Sequence, residues 1–278
     1  MKNTKSISNN NSRSTNNNTI GRVVLVTGAS GEIGMKISEE FLINGDIVIG
    51  QYRKNKKGFD KLTDCYKDFY YFKADLLKKN DIDSLFKFLK KKFGKLNVLV
   101  NSAGIISQKI GPIESFSSEQ LRYNLEINLV AQFECCKHAY DIMKHENHGM
   151  IVNIGSLAGI LPNYHNSLYS ISKAALEMLT KSMALEWSAN NIRVNSVVPA
   201  GANSKMAKTL YKTKEKLEAR KKAIPLGELV NCRDIAKAAL FLASSEIKSI
   251  SGSSLVLDGG SSISYFRLVD IYSRTLES

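Results

Sequence analysis

The chain has 278 residues, 43% hydrophobic and 23% charged, with a formal net charge of +13. That is enough apolar material for a full core and ordinary for a globular enzyme, which argues against a disordered or fibrous chain. No run of about 18 apolar residues occurs, so no membrane span is expected. The positive excess is mostly lysine spread along the chain. Aromatic residues are not interleaved with it as a nucleic-acid platform needs, so a solvated basic surface is expected and no nucleic-acid partner.

Residues 1–19 are rich in Asn and Ser and nearly free of large apolar side chains. Such a segment cannot offset its ordering entropy and reads as a disordered tail. Residues 22–27 form a β-branched run ending at Gly28, a buried strand followed by a turn. Residues 33–44 have helical spacing, with Ile33, Ile37, Phe41 and Leu42 on one face and Asn44-Gly45 as a stop. Strands are expected at 46–51 and 69–73. An amphipathic helix is expected over 80–93, with Ile82, Leu85, Phe86 and Leu89 inward. A further apolar strand covers 96–101.

The alternation continues with two helical stretches in 117–145, a strand at 150–155, a long helix at 167–189 and a strand at 192–198 stopped by Pro199. Residues 204–222 are polar and helix-forming, Pro225 breaks the chain, and 232–243 is helical. A last strand at 254–257 closes at Gly259-Gly260. Strands apolar on both faces, alternating with helices, define a parallel sheet covered on both sides. The expected fold is a single doubly wound α/β (Rossmann) domain over 20–262 with about seven strands, followed by an extension at 263–278. Its ligand should lie beyond the carboxyl ends of the strands.

Between the first strand and first helix runs Thr27-Gly28-Ala29-Ser30-Gly31-Glu32-Ile33-Gly34. Glycines there let backbone approach a pyrophosphate, and the helix N-terminus offers free N–H groups and a positive dipole end. The second strand ends Gln51-Tyr52-Arg53-Lys54, without the carboxylate that would grip an unphosphorylated ribose. Arg53 and Lys54 could pair with a 2′-phosphate instead. Asp75, after the third strand, could accept from an adenine amino group.

Tyr169-Ser170-Ile171-Ser172-Lys173 opens the long helix, and i, i+4 spacing puts phenol and ammonium on one face. The ammonium is expected to lower the tyrosine pKa and make it a usable acid near neutrality. Ser156 ends the preceding strand, where its hydroxyl could face a bound carbonyl. His145-Glu146-Asn147-His148 is one residue short of a zinc-binding H-E-x-x-H and reads as a loop without metal. Cys65, Cys135, Cys136 and Cys232 form no C-x-x-C pair, which fits free thiols in a reducing, cytoplasmic compartment.

Taken together these motifs resemble the short-chain dehydrogenase/reductase family over about residues 21–260. The glycine turn matches T-G-x-x-x-G-x-G. Asn101-Ser102-Ala103-Gly104 resembles the family's N-N-A-G, which steadies the central sheet. Asn128 falls at its helical asparagine, and Ser156, Tyr169 and Lys173 complete its catalytic tetrad. Pro199-Ala200 stands at its P-G, and Asp258-Gly259-Gly260 at its D-G-G. Glu32 in place of the family's middle glycine, Ser102 for its second asparagine and Ala200 for its glycine depart from the pattern.

The resemblance implies NADP(H) and hydride transfer to a carbonyl. Tyr169 would be the proton donor, Ser156 the carbonyl partner, Lys173 the ribose partner and Asn128 the holder of a relay water. It places cofactor contacts at Gly28, Ser30, Gly31, Ile33, Gly34, Arg53, Asp75, Asn101, Ala103, Gly104, Pro199, Ala202 and Ser204. Ile224-Pro225-Leu226-Gly227 and Phe241-Leu242-Ala243-Ser244 bring the chain near the 3-oxoacyl-acyl-carrier-protein reductases. That implies fatty acid biosynthesis, an acyl thioester substrate and an acyl carrier protein partner. Sugar, polyol and steroid dehydrogenases share these features, and a dinucleotide-binding module without catalysis is the competing class. A homotetramer paired through 117–145 and 167–189 is expected, with Leu176, Leu179, Met183 and Trp187 along the second helix.

Overall fold

A computed structural model describes residues 21–107, 109–204 and 213–264. The expected N-terminal tail, nearly all of the C-terminal extension and the start of the 204–222 helix lie outside the described residues. The sheet is seven-stranded and parallel throughout: β1 Val23–Thr27, β2 Ile47–Tyr52, β3 Phe69–Lys73, β4 Val98–Asn101, β5 Gly149–Ile154, β6 Ile192–Pro199 and β7 Ser254–Leu257. Its order, β3-β2-β1-β4-β5-β6-β7, reverses direction between β1 and β4. The helices are α1 Glu32–Ile43, α2 Phe59–Cys65, α3 Lys79–Phe93, α4 Ser118–Leu125, α5 Ala131–Met143, α6 Ser167–Glu186, α7 Lys214–Ala223 and α8 Cys232–Leu242.

Alternate strand residues feed two cores. Val24, Val26, Val98, Val100, Met150 and Val152 pack with Ile37 and Phe41 of α1 and Ile235 and Leu242 of α8. Their neighbours Val23, Leu25, Leu99 and Ile151 face the other way, onto Leu85 and Phe86 of α3, Cys135 and Cys136 of α5 and Met183 of α6. Both faces of the central strands are thereby buried, which is why they read as unbroken apolar runs.

Three local features escape the sequence pattern. Helix α2 has only Phe59 and Leu62 to bury among lysines and aspartates, too short a signal for periodicity. A π-helical turn, Glu126–Val130, joins α4 to α5 and brings Asn128 inward. Helix α6 ends at Glu186, and a separate 3-10 turn covers Ser188–Asn190. The His145-to-His148 stretch is a turn, with Asn147 at φ 48°.

Candidate active site

Two cavities adjoin at the carboxyl ends of the strands. The first, about 390 Å³, lies at the β1/β4 switch point, where doubly wound sheets hold ligands. Gly28, Ser30, Gly31, Ile33 and Gly34 form one wall, Arg53 and Asp75 another, and Ala103 and Gly104 a third, with Ser204 at the edge. The second, about 510 Å³, is lined by Ser156, Tyr169, Pro199 and Ala202. Ile33 and Ser204 line both, so the two open into one cleft.

The glycine turn is held from beneath. Gly28 sits at φ +64°, and a Cβ there would come within 2.7 Å of Ala103 Cα. Gln51 is buried at the end of β2. Its Oε1 accepts from Gly28 N at 2.8 Å and its Nε2 donates to Ala74 O at 2.6 Å. Thr27 Oγ1 accepts from Ser102 N and Ala103 N, locking the β4 loop to the same turn. Gly31 differs. It is exposed, has φ −75°, and a Cβ would meet only Gly28 O, at 3.3 Å. That contact is tight, because the neighbour is backbone, and the absence of a side chain keeps this edge of the cleft open. The N-cap of α1 is Gly31, which has no side chain to cap the helix, and the start of α1 lies in the cleft wall. Arg53 is exposed and has no carboxylate partner among the described residues. These residues fit a dinucleotide carrying a further phosphate.

Asn101 lies behind the cleft rather than in its wall. Its side chain turns into the sheet, where Nδ2 donates to Asn153 Oδ1 at 2.9 Å and lies 3.1 Å from Cys136 Sγ. The side chain lines neither cavity and ties β4 to β5, the sheet-steadying role expected of its motif.

Ser156 and Tyr169 line the second cavity together, the serine near enough to the phenol to favour its ionised form. Ser156 Oγ accepts from Ala158 N at 3.2 Å, which fixes it at the end of β5. Lys173 is 4% exposed. Its Nζ donates to Ile154 O at 2.7 Å and stands 5.9 Å from the Tyr169 ring centre. The expected lowering of the Tyr169 pKa is not found: burial pushes it up, and Ser156 only partly opposes this. Burial also depresses Lys173, to about 8, against the opposing pull of Glu177. At this separation the ammonium does not outweigh desolvation of the phenolate.

Asn128, fully buried, does not line the cleft. Its Oδ1 accepts from Ile105 N and its Nδ2 donates to Ile105 O and to Ser172 Oγ, at 2.9 to 3.0 Å. A Cβ on Gly104 would lie 3.2 Å from Asn128 Oδ1 and 3.8 Å from Lys173 Nζ, so this glycine leaves open the gap between them.

Sequence reasoning missed Gln51, Glu177 and Arg220. Glu177 accepts from Ser196 Oγ at 2.7 Å and Ser254 Oγ at 2.6 Å, joining α6 to β6 and β7. The sequence signal for Gln51 was a polar residue closing an apolar strand; for Glu177 it was an acid one helical turn beyond Lys173. Among the described residues no group of His, Cys, Asp and Glu is arranged to hold a metal ion, and no helix is long and apolar enough to cross a membrane.

Fold and cleft define a doubly wound α/β protein with a dinucleotide-shaped site at its switch point. Residues 28–262 match a family model described as enoyl-(acyl carrier protein) reductase. Human 3-oxoacyl-[acyl-carrier-protein] reductase is 33% identical over 240 residues, 86% of this chain and 97% of that protein. The 3beta-hydroxysteroid dehydrogenase 1 of Eggerthella lenta is 31% identical over 245 residues, covering 86% and 93%. An uncharacterized short-chain type dehydrogenase/reductase of Sinorhizobium fredii is 34% identical over 241 residues, but the match spans only 43% of that longer protein. The solved structure of ElxO with NADP bound superposes with a TM-score of 0.82 at 28% identity, covering 87% of this chain and 99% of that one. The chain belongs to the short-chain dehydrogenase/reductase family of oxidoreductases.

Proposed function

We propose that the protein is an NADPH-dependent carbonyl reductase, running in reverse as an alcohol dehydrogenase, with Tyr169 as the proton donor. The observation that carries this is that Ser156 and Tyr169 line one cavity, continuous with the glycine-turn cleft. NADP bound in ElxO and the open position of Arg53 support the choice of cofactor. A bound NADPH supplies the hydride. Ser156 holds the substrate oxygen and stabilises its developing charge. Tyr169, kept protonated by burial, releases its proton to that oxygen, which suits the reducing direction. Lys173 holds the cofactor ribose near the phenol, and the gap beside Gly104 houses a water between Lys173 and Asn128.

An acyl thioester on an acidic carrier protein is one substrate class, supported by the likeness to the human 3-oxoacyl reductase and by the net charge. A smaller polar substrate is the second, favoured by Asn163, Asn166 and Arg220 in the cavity wall. A homotetramer built through α5 and α6 completes the reading. Ketones and acyl thioesters assayed with NADPH and with NADH test it: reduction of none would overturn the reductase, and equal use of both cofactors its NADPH preference.

A further inference from the structure

The Ser156–Tyr169 cavity holds two buried polar atoms that the protein does not satisfy. Arg220, on α7, lines the cavity, and its Nε is shielded from solvent without a hydrogen-bond partner. No described carboxylate pairs with it. Asn166 lines the same cavity, and its Oδ1 is likewise buried without a partner. Asn166 is also the N-cap residue of α6, yet its side chain makes no capping hydrogen bond. An asparagine at an N-cap normally accepts from the first turn of its helix, so this amide is left for another role.

An unpaired buried polar group destabilises the fold, and more so when it is charged. Chains tolerate such a group where a ligand satisfies it. One unsatisfied cationic donor and one unsatisfied acceptor share a cavity with the groups that would receive a carbonyl. That pattern describes a ligand with an oxyanion for Arg220 and a hydroxyl for Asn166.

We propose that the substrate carries an oxyanion, a carboxylate or a phosphate, besides its reacting carbonyl, and that Arg220 binds it while Asn166 accepts from a neighbouring hydroxyl. This rests on the reductase reading above and narrows it to oxo acids or phosphorylated ketones, against uncharged steroids. The reaction is otherwise unchanged: hydride from NADPH reaches the carbonyl carbon, a proton reaches its oxygen, and the anion takes no part in bond making. A planar guanidinium suits either oxyanion, because both accept two parallel N–H bonds.

Matched pairs test it. Acetoacetate is compared with ethyl acetoacetate, and dihydroxyacetone phosphate with dihydroxyacetone, using NADPH and the full chain. The wild type is expected to favour the charged member of at least one pair in kcat/KM, and which pair responds separates carboxylate from phosphate. Arg220→Gln should cut kcat/KM on that member by about tenfold or more, through KM, and leave the uncharged member within about threefold. Arg220→Lys should retain part of the preference. Turnover of the uncharged member reports that the variant is folded. No preference for charge in either pair, or equal loss on both members, overturns the proposal.

If none of the four is turned over, calorimetry on the NADP⁺-loaded protein decides with succinate and inorganic phosphate. Binding lost in Arg220→Gln supports the proposal, and no binding by the wild type overturns it. Anion binding through Arg220 without reduction of any ketone would sink the reductase reading alone.

Discussion

Lys173 Nζ donates to the carbonyl of Ile154 at 2.7 Å, and Ile154 is the last residue of β5, two before Ser156. One bond thus fixes the ammonium to the strand that delivers the serine, while α6 carries Tyr169 on the same face. Glu177, a turn further along α6, draws the lysine toward its charged state, and burial draws it away. Burial favours the protonated form of the Tyr169 phenol.

Tyr169→Phe should therefore lower kcat by at least about 100-fold, the typical contribution of a positioned acid, while cofactor affinity stays close to wild type. Phenylalanine keeps the ring packing and loses only the proton and the Ser156 contact. Steady-state kinetics with cofactor titration measure both quantities. Turnover within about tenfold of wild type would remove Tyr169 from the chemistry.

Lys173 also makes a prediction about stability. Its pKa is held near 8 in the folded chain against 10.5 when free, so the fold disfavours the charged form. The cost is full below about 8, shrinks as pH rises toward 10.5, and vanishes above it. Lys173→Met should abolish activity and yet stabilise the protein at about pH 7, with the gain falling by up to about 3 kcal/mol as pH rises through that window. Losing the donor to Ile154 O offsets about 1 kcal/mol at every pH. Denaturant melts at about pH 7 and about pH 10 measure the difference, and a gain that grows with pH would contradict it.

Arg53→Ala should raise the KM for NADPH about tenfold or more and leave that for NADH nearly unchanged. Arg53 lines the cleft at the end of β2 and makes no ion pair among the described residues, so its charge is available to a 2′-phosphate. An equal loss for both cofactors would show that it reads another part of the nucleotide.

The parallel sheet and the placement of Ser156 and Tyr169 at one end were legible because apolar runs and i, i+4 spacing are local patterns, whereas the strand order was not read. The supports were not legible either. Gln51 works by reaching Gly28 and Ala74, which chain distance separates but the sheet brings together. Asn101 belonged to a readable motif, yet only the position of Asn153 on the neighbouring strand shows which way its amide turns. The Tyr169 pKa was misjudged for a similar reason: spacing shows that a lysine is near, and only depth of burial shows that desolvation wins.

Gln51→Leu tests one of these supports. It leaves Gly28 N–H and Ala74 C=O without their partners, at a cost of about 1–3 kcal/mol, or a fall of roughly 2–10 °C in Tm. Because Gly28 opens the glycine turn, dinucleotide affinity should fall with stability, whereas Tyr169→Phe lowers neither. Thermal melts with and without NADP⁺ make the comparison, and cofactor affinity equal to wild type would separate Gln51 from the site.

The apolar face of α6 gives the last prediction. Leu176 and Met183 are buried and Leu179 and Trp187 are partly buried against the chain's own core, so the side chains expected to reach a twin are already used. A different stripe remains: Ile171, Met178 and Leu185, exposed by 42%, 62% and 79%. They recur every seven residues, so they run down one side of α6. Val130 and Phe133, in and just after the π-turn, are also exposed. A long apolar stripe left in water is a cost that association removes, at about 25 cal/mol for each Å² covered. A symmetric pairing places the same stripe on both partners, so it needs no second complementary surface. The wild type is expected to scatter light as a tetramer. Met178→Lys with Leu185→Lys should shift it to a smaller species while circular dichroism stays unchanged, since neither side chain contributes to the core. A wild type that is monomeric and active, or a double variant that stays assembled, would refute pairing through this face.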